Sequence, residues 1–211
     1  MNEPYFGHLG IICMSGCEDF CSRVEYYLKS WRGTEENFRI HADCPRFSTG
    51  ESKGMLYESI RGRDLFIISD PFNYSVTYKL HDMEVPMSPD DHFQDLKRII
   101  SAIEGKAKRI TVIMPMLYES RQHKRTYRES LDCATALQEL VRMGVSNIVT
   151  YDAHDPRVQN AVPLSGFDNM SPRYQMIKAM VKNVDGVRFD PSETIIVSPD
   201  EGGIRRCLSY S

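Results

Sequence analysis

The sequence predicts an α/β protein in which a parallel sheet is flanked by helices on both faces. Short apolar segments of strand type alternate along the chain with helical patterns, and residues that start or stop helices stand between them. Strands separated by helices form βαβ units, whose sheets are parallel and covered on both sides. A hydrophobic fraction of 41% over 211 residues is sufficient to fill the core of such a fold.

The first half of the chain contains one long helical pattern between strand-like segments. Phe20, Val24 and Leu28 recur at helical spacing, and Gly33 is a typical helix stop. In chain order we predict a strand at Leu9–Met14, a helix at Cys17–Arg32, an extended segment at Asn37–Phe47, a buried strand at Leu65–Ser69 and a long irregular segment at Asp70–Pro89.

The second half repeats the alternation with stronger capping signals. Ser88 before Pro89 is a favourable helix start, and Ser171 before Pro172 repeats it. In chain order we predict a helix from Ser88-Pro89 to Glu104, a strand at Ile110–Met114, a helix at Glu129–Met143, a strand at Asn147–Tyr151, a helix after Ser171-Pro172 and a last strand at Ile195–Val197.

The loop Asp155–Phe167 contains Pro156 and Pro163 and is the predicted domain boundary. We assign residues 1–160 to an N-terminal α/β domain. Residues 161–211 are predicted to begin a second domain.

Composition narrows the classes of function. The net charge of −3 disfavours a nucleic-acid binder, and no apolar run approaches the roughly 20 residues that span a bilayer. The N-terminus lacks the basic region of a signal peptide, so we expect a cytoplasmic protein that contacts no membrane. Cys17 and Cys21 would share a helix face. We interpret the six cysteines as buried or half-buried reduced thiols, with a metal or redox role as the alternative.

Charged residues that follow predicted strands carry the functional signal, because ligands of parallel sheets bind beyond the carboxyl ends of the strands. Asp152 is a natural Mg²⁺ ligand, and His154 could ligate, bind a phosphate, or simply pair with its local Asp. Asp200 before Gly202-Gly203 favours an anion cradle at a strand-to-helix turn. The loop after Ile110–Met114 suits either a bound polyphosphate or a solvated charged surface, since it contains Arg121, Gln122, His123, Lys124, Arg125 and Arg128.

Five stretches of the chain follow one another in an order known from one enzyme family. They are Arg46–Glu51 (RFSTGE), Glu58–Asp64 (ESIRGRD), Ser120–Arg125 (SRQHKR), Tyr151–His154 (YDAH) and Val197–Gly203 (VSPDEGG). In this order they resemble the ribose-phosphate pyrophosphokinases, or phosphoribosyl diphosphate (PRPP) synthetases. The resemblance implies a phosphoribosyltransferase-like fold, with residues 1–160 as the ATP-side domain and residues 161–211 as the truncated beginning of a similar C-terminal domain.

The resemblance also implies roles for the matching residues. Phe47 and Glu51 would reach the adenine site of a neighbouring subunit, which implies a homo-oligomer. Arg121 and His154 would be the catalytic residues. The implied ATP-binding set is Phe47, Glu51, Arg121, Gln122, His123 and Lys124. The implied ligands of Mg²⁺ and its phosphates are Asp152, His154, Asp168 and Asp200.

Several features depart from the family pattern. Thr49 and His123 stand where the family usually has Asp, and Tyr74–Ser88 resembles an insertion. The acidic D-D-x-x-x-T-G-G-T loop that holds ribose 5-phosphate in the family has no counterpart in these 211 residues. We therefore expect a fragment of a divergent member, inactive in isolation, rather than a shortened paralogue.

The implied activity is transfer of diphosphate from Mg-ATP to ribose 5-phosphate, which gives PRPP and AMP. Mg²⁺ would be the cofactor, and ATP and ribose 5-phosphate the substrates. The alternative is a non-catalytic paralogue that regulates or scaffolds PRPP synthetases. A phosphoribosyltransferase is disfavoured, because it needs an acidic-Thr-Gly-Gly-Thr loop of its own.

Overall fold

Among residues 6–190 and 192–210, which the computed structural model describes, six parallel strands form one sheet. The strands of the chain are β1 (Leu9–Cys13), β2 (Arg39–Ile40), β3 (Ala42–Asp43), β4 (Met55–Leu56), β5 (Asp64–Ile68), β6 (Thr77–Leu80), β7 (Met83–Pro86), β8 (Arg109–Met114), β9 (Asn147–Tyr151) and β10 (Gly166–Met170). The sheet has the order β10-β9-β8-β5-β1-β2, and each neighbouring pair is parallel. The pairs β3–β4 and β6–β7 are antiparallel.

The first three helices lie between strands, as the alternation predicts, and the last two follow β10. The helices are α1 (Glu18–Arg32), α2 (Pro89–Ile103), α3 (Asp132–Arg142), α4 (Arg173–Asn183) and α5 (Ile204–Leu208), with 3₁₀ turns at Pro156–Ala161 and Glu201–Gly203. In α2 the Ser88 hydroxyl accepts from the Asp91 amide at 3.2 Å, and the Asp91 carboxylate accepts from the Ser88 amide at 2.9 Å. This capping box with Pro89 explains the sharp start of the helix.

Helices cover both faces of the sheet, which confirms the predicted fold class. Alternate residues of each strand point to opposite faces. One face packs against α2 and α3 around Ile12, Ile67 and Val112. The other face packs against α1 around Ile11 and Ile68.

The segment predicted to be irregular, Asp70–Pro89, instead contains the hairpin β6–β7. Its strands pair in register from Thr77 opposite Pro86 to Leu80 opposite Met83, and His81 in the two-residue turn has a φ of +52°. Gly is the usual residue at positive φ, so a turn without Gly gave no hairpin signal in the sequence.

Two other expectations differ from the structure. Ile195–Val197 is not a strand, and Ile195 and Val197 are exposed because no described strand pairs with them. The predicted helix Glu129–Met143 begins later, at Asp132, because the Glu129 carboxylate accepts hydrogen bonds from the Thr126 and Tyr127 amides and thereby stabilises a loop.

The chain divides into two compact units, Met1–Met170 and Ser171–Ser211. Residues 161–170, which we assigned to the second domain, lie in the first unit because β10 pairs with β9. In the second unit, Arg173 donates to the Ser209 carbonyl at 2.9 Å and thereby joins α4 to the end of α5.

The cysteines of the first unit are buried or half-buried, as predicted, and they are free. Burial raises the pKa of the Cys17 and Cys44 thiols to about 12 and that of Cys133 to about 11. These thiols are therefore protonated near neutral pH. Within the described residues, no helix combines the length and apolar character that crossing a bilayer requires.

Candidate functional site

The loops that follow β8 and β9 are tied together at the carboxyl edge of the sheet. The Tyr151 amide donates to the Pro115 carbonyl at 3.1 Å, so the two strand ends meet. Asp152 has a φ of +47°, and its amide donates to the Met170 carbonyl at the end of β10. The Ala153 amide donates to the Asn169 side chain at 3.0 Å. These bonds fix the backbone from which His154 projects.

His123 and His154 bring the two loops into contact. Their ring centroids are 5.1 Å apart, and His123 Nε2 lies 3.4 Å from Asp155 Oδ2. The His123 side chain is largely buried, and its Nδ1 has no hydrogen-bond partner among the described atoms. His154 is exposed. The pair therefore presents one imidazole to solvent and holds the other against an acid.

Asp155 keeps a negative charge beside the His123 ring. The Arg157 side chain donates to its carboxylate, and this holds the pKa of Asp155 well below its usual range. The same carboxylate accepts from the Arg157 amide at 2.8 Å and so caps the 3₁₀ turn at Pro156–Ala161. Asp155 is therefore ionised near neutral pH and sits within ion-pair distance of His123.

Two side chains of the loop after β8 offer uncompensated positive charge. Arg121 and Lys124 are exposed, and within the described part of the chain neither makes a hydrogen bond or ion pair. Burial, together with Asp132 and Asp90, raises the pKa of Glu119, which lies two residues before Arg121. Such a loop can bind an anion without first breaking an internal salt bridge.

Gln122 contributes to the shape of this loop. Its side chain donates to the Ser130 carbonyl at 3.0 Å, and its amide donates to the Glu119 carbonyl at 2.9 Å. The Cys133 amide donates to the Gln122 carbonyl at 3.3 Å, at the start of α3. Gln122 therefore links both ends of the loop that carries Arg121.

The stretch Arg46–Glu51 forms a tight, exposed turn elsewhere on the first unit. The Phe47 amide donates to the Glu51 carbonyl at 2.7 Å, and the Gly50 amide donates to the Phe47 carbonyl at 2.9 Å. Phe47 is 54% exposed, and the Glu51 carboxylate accepts from the Thr49 hydroxyl at 3.0 Å. This turn therefore exposes an aromatic ring and an acid on two residues whose backbones are hydrogen-bonded.

The first turn of α2 contacts both of these loops. Asp90 accepts from the Tyr118 hydroxyl at 2.6 Å, near the start of the basic loop. Asp91 lies 3.5 Å from Arg46, at the base of the aromatic turn. Tyr118 also stacks on Phe93 of α2, with ring centroids 4.2 Å apart. The first turn of α2 thus contacts both the basic loop and the turn Arg46–Glu51, the two segments predicted to bind nucleotide.

The four predicted metal ligands have different surroundings. Asp152 and His154 share one loop, whereas the Asp168 carboxylate accepts at 2.7 Å from Asn147, the first residue of β9. In the second unit, Asp200 accepts from the Gly203 amide at 2.9 Å and caps a 3₁₀ turn. Nowhere in the described ranges do three His, Cys, Asp or Glu side chains form a cluster that could hold a metal ion. Mg²⁺ needs no such cage, since it usually takes one or two carboxylates and substrate phosphates.

Sequence reasoning missed Asp155, Asp90 and Tyr118, which hold the loops in place. The dipeptide Asp155-Pro156 was a readable signal, because Asp before Pro is a typical helix start. Tyr118 and Asp90 lie 28 positions apart, and no local pattern joins them. Their contact depends on how α2 packs beside β8.

The fold is of the phosphoribosyltransferase-like type. The crystal structure of phosphoribosylpyrophosphate synthetase from Mycobacterium smegmatis superposes with a TM-score of 0.77 at 21% identity, covering 96% of this chain and 60% of that one. At this identity the match shows the fold alone.

A family model described as the N-terminal domain of ribose phosphate pyrophosphokinase matches residues 9–144. The chain therefore belongs to the ribose-phosphate pyrophosphokinase family. It is 30% identical over 172 residues to ribose-phosphate pyrophosphokinase A of Dictyostelium discoideum, and 31% identical over 168 residues to ribose-phosphate pyrophosphokinase 1 of Schizosaccharomyces pombe. These matches cover 81% and 79% of this chain but only 48% and 36% of the two relatives. The chain thus spans about half, or less, of the length of these relatives.

Proposed function

We propose that this chain supplies the ATP side of a ribose-phosphate diphosphokinase, which transfers diphosphate from Mg-ATP to ribose 5-phosphate and releases PRPP and AMP. The observation that carries the proposal is the joined pair of loops after β8 and β9. Their contact through His123 and His154 puts an exposed imidazole on the same loop pair as the unpaired cations Arg121 and Lys124. This combination suits a polyphosphate.

Each side chain has a distinct role in the proposal. Arg121 and Lys124 bind the phosphates, with Arg121 also offsetting the charge that develops during transfer. The hydrogen bonds of Gln122 hold the shape of their loop. His123 positions His154 through the contact between the two rings. Phe47 stacks on the adenine, and Glu51 accepts a hydrogen bond from it.

Mg²⁺ fits the exposed loop of the first unit that carries Asp152 and His154. In the second unit, Asp200 remains a predicted ligand of Mg²⁺ and its phosphates. Asp168 is the least favoured of the predicted ligands because Asn147 engages its carboxylate. The metal, when bound, would neutralise phosphate charge. The protein's own contribution is mainly positioning: the anomeric hydroxyl attacks the β-phosphorus in line with AMP as leaving group.

The test is an AMP-release assay with Mg-ATP and ribose 5-phosphate on the protein expressed from its complete reading frame. We expect ribose 5-phosphate-dependent AMP release and formation of PRPP in equal amounts. AMP release that does not depend on ribose 5-phosphate would contradict the proposal. A folded protein that releases no AMP would contradict it as well.

The second candidate function is a non-catalytic partner that regulates or scaffolds PRPP synthetases. Two contacts favour it: Glu51 is hydrogen-bonded to Thr49, and His123 is within ion-pair distance of Asp155. Both Thr49 and His123 replace residues that are usually acidic in the family. Co-elution with an active synthetase and a change in its rate, without turnover by this protein alone, would identify this function.

The proposed adenine contact also makes a prediction about assembly. If Phe47 serves a neighbouring subunit, Phe47→Ala and Arg121→Ala damage different halves of each shared site. We expect each variant to be weakly active alone and their mixture to recover part of the activity, because some mixed interfaces keep one intact site. Subunit exchange is checked by native mass spectrometry. Exchange without any recovery would contradict the shared site.

A further inference from the structure

The hairpin β6–β7 packs one face against the turn Arg46–Glu51. Tyr78 and Leu80 are half-buried, whereas the alternate residues Thr77 and Lys79 are exposed, as expected for a strand. The Arg46 guanidinium lies over the Tyr78 ring, with Cζ 4.3 Å from the ring centroid. This distance is within the range of a cation–π interaction.

The tip of the hairpin also contacts the turn through the backbone. The His81 amide donates to the Ser48 carbonyl at 2.8 Å. Gly50 has a φ of +89°, and a Cβ at this position would lie only 2.9 Å from Leu80 Cδ1. Leu80 therefore packs directly over the Gly50 backbone, which accepts no side chain there and precedes Glu51 in the chain.

The base of the hairpin is anchored to the rest of the first unit. The Asn73 side chain donates to the Gly16 carbonyl at 3.0 Å, and His92 Nε2 lies 2.8 Å from the Asn73 carbonyl. The Met87 amide donates to the Val76 carbonyl at 2.8 Å, which extends the pairing within the hairpin itself. A two-stranded hairpin is at best marginally stable alone, so these anchors are what allow its tip to support another segment.

We propose that the hairpin β6–β7 is a positioning brace that holds the turn Phe47–Glu51 ready for a nucleobase, and that it thereby sets the affinity of the protein for ATP. The proposal rests on the proposed function for the identity of the ligand. The brace itself rests only on the contacts of Tyr78, Leu80 and His81 with Arg46, Ser48 and Gly50. Tyr78 acts through Arg46 and is a positioning residue.

The first test measures the turn directly, without nucleotide. Hydrogen exchange by mass spectrometry on peptides covering residues 46–52 reports the amides of Phe47 and Gly50, which are hydrogen-bonded within the turn. We expect Tyr78→Ala to speed their exchange about five-fold or more, because the turn opens more often once the ring is lost. Tyr78→Phe keeps the ring and should retain protection. Lys79→Ala, on the exposed face of the same strand, is the control.

The second test separates positioning from general damage by steady-state kinetics of the complete protein. In Tyr78→Ala we expect the KM for ATP to rise about five-fold, with kcat and the KM for ribose 5-phosphate unchanged. Tyr78→Phe should restore the wild-type KM for ATP. A ratio of ATP to GTP use that changes with Tyr78→Ala would show that the brace also acts on purine choice.

The outcomes distinguish the brace from the activity. Unchanged exchange at residues 46–52 in Tyr78→Ala would contradict the proposal that the hairpin holds the turn. Exchange of β5 and β8 that speeds up as much as that of the turn would contradict it too, because it would show general destabilisation. Faster exchange of the turn with an unchanged KM for ATP would overturn its role in affinity. A wild-type protein that does not use ATP would contradict the proposed function instead. The exchange experiment would still show whether the hairpin holds the turn.

Discussion

Replacement of Asp95 by alanine should lower the free energy of unfolding by about 3 kcal/mol. The Asp95 carboxylate is buried in α2 and accepts hydrogen bonds from Arg46 at 3.0 Å, from Arg98 at 2.8 Å and from the Ser52 hydroxyl. Its removal leaves the largely buried Arg46 guanidinium without its closest acid, since Asp91 is 3.5 Å away. Urea denaturation followed by circular dichroism measures the loss.

Two further variants make this prediction specific. Asp19→Ala removes an exposed helix carboxylate that also pairs with an arginine, and it should cost less than about 1 kcal/mol. Asp95→Ala combined with Arg46→Met should cost less than the sum of the two single changes, because the unpaired cation is removed as well. Strict additivity, or a loss in Asp95→Ala no larger than in Asp19→Ala, would refute the buried network as a source of stability.

The largest effect on activity is expected at Arg121 and His154. In the complete protein, Arg121→Ala should lower kcat for diphosphate transfer by about 100-fold, because it removes a cation at the reacting phosphates. His154→Ala should have a similar effect, since it removes the exposed imidazole of the joined loops. Neither variant should change the melting temperature, as both side chains are exposed.

Arg142→Ala is a matched control for these two variants. Arg142 is an exposed cation in the last turn of α3, outside both loops. Its removal should leave kcat within about two-fold of the wild type. Equal activity of Arg121→Ala, His154→Ala and the wild type would remove the site from the loops after β8 and β9.

The regular elements of the first unit could be predicted because each has a local signal. The strand Asn147–Tyr151 was predicted at its observed bounds, and α2 was predicted from Ser88 and Pro89, whose capping geometry is present. The strand β10 was missed because its sequence, GFDNM, contains Gly, Asp and Asn, which disfavour strands. It forms because β9 provides an edge with which it can pair.

Only those parts of the candidate site whose location follows from their position after a strand could be predicted. Arg121 and His154 were predicted to share one site because both follow neighbouring parallel strands. The loops that carry them meet through the rings of His123 and His154, which are 5.1 Å apart. The contacts that position the basic loop and the turn Arg46–Glu51 come from distant residues: Asp90 reaches Tyr118, and Asp95 reaches Arg46 across 49 positions. Such pairs depend on helix packing, and a single sequence does not encode them as a spacing.

The adjacency of Asp90 and Asp91 has a consequence for communication between binding events. Their Cα atoms are about 3.8 Å apart on a rigid helix, yet one side chain contacts the basic loop and the other contacts the aromatic turn. If a ligand on one loop shifts this helix start, it also moves the other loop. Occupancy of the first loop would then change the affinity of the second, and by reciprocity the factor would be equal in both directions. If Phe47 serves a neighbouring subunit, those two loops belong to different active centres. The first turn of α2 would then transmit nucleotide binding around the oligomer as cooperativity.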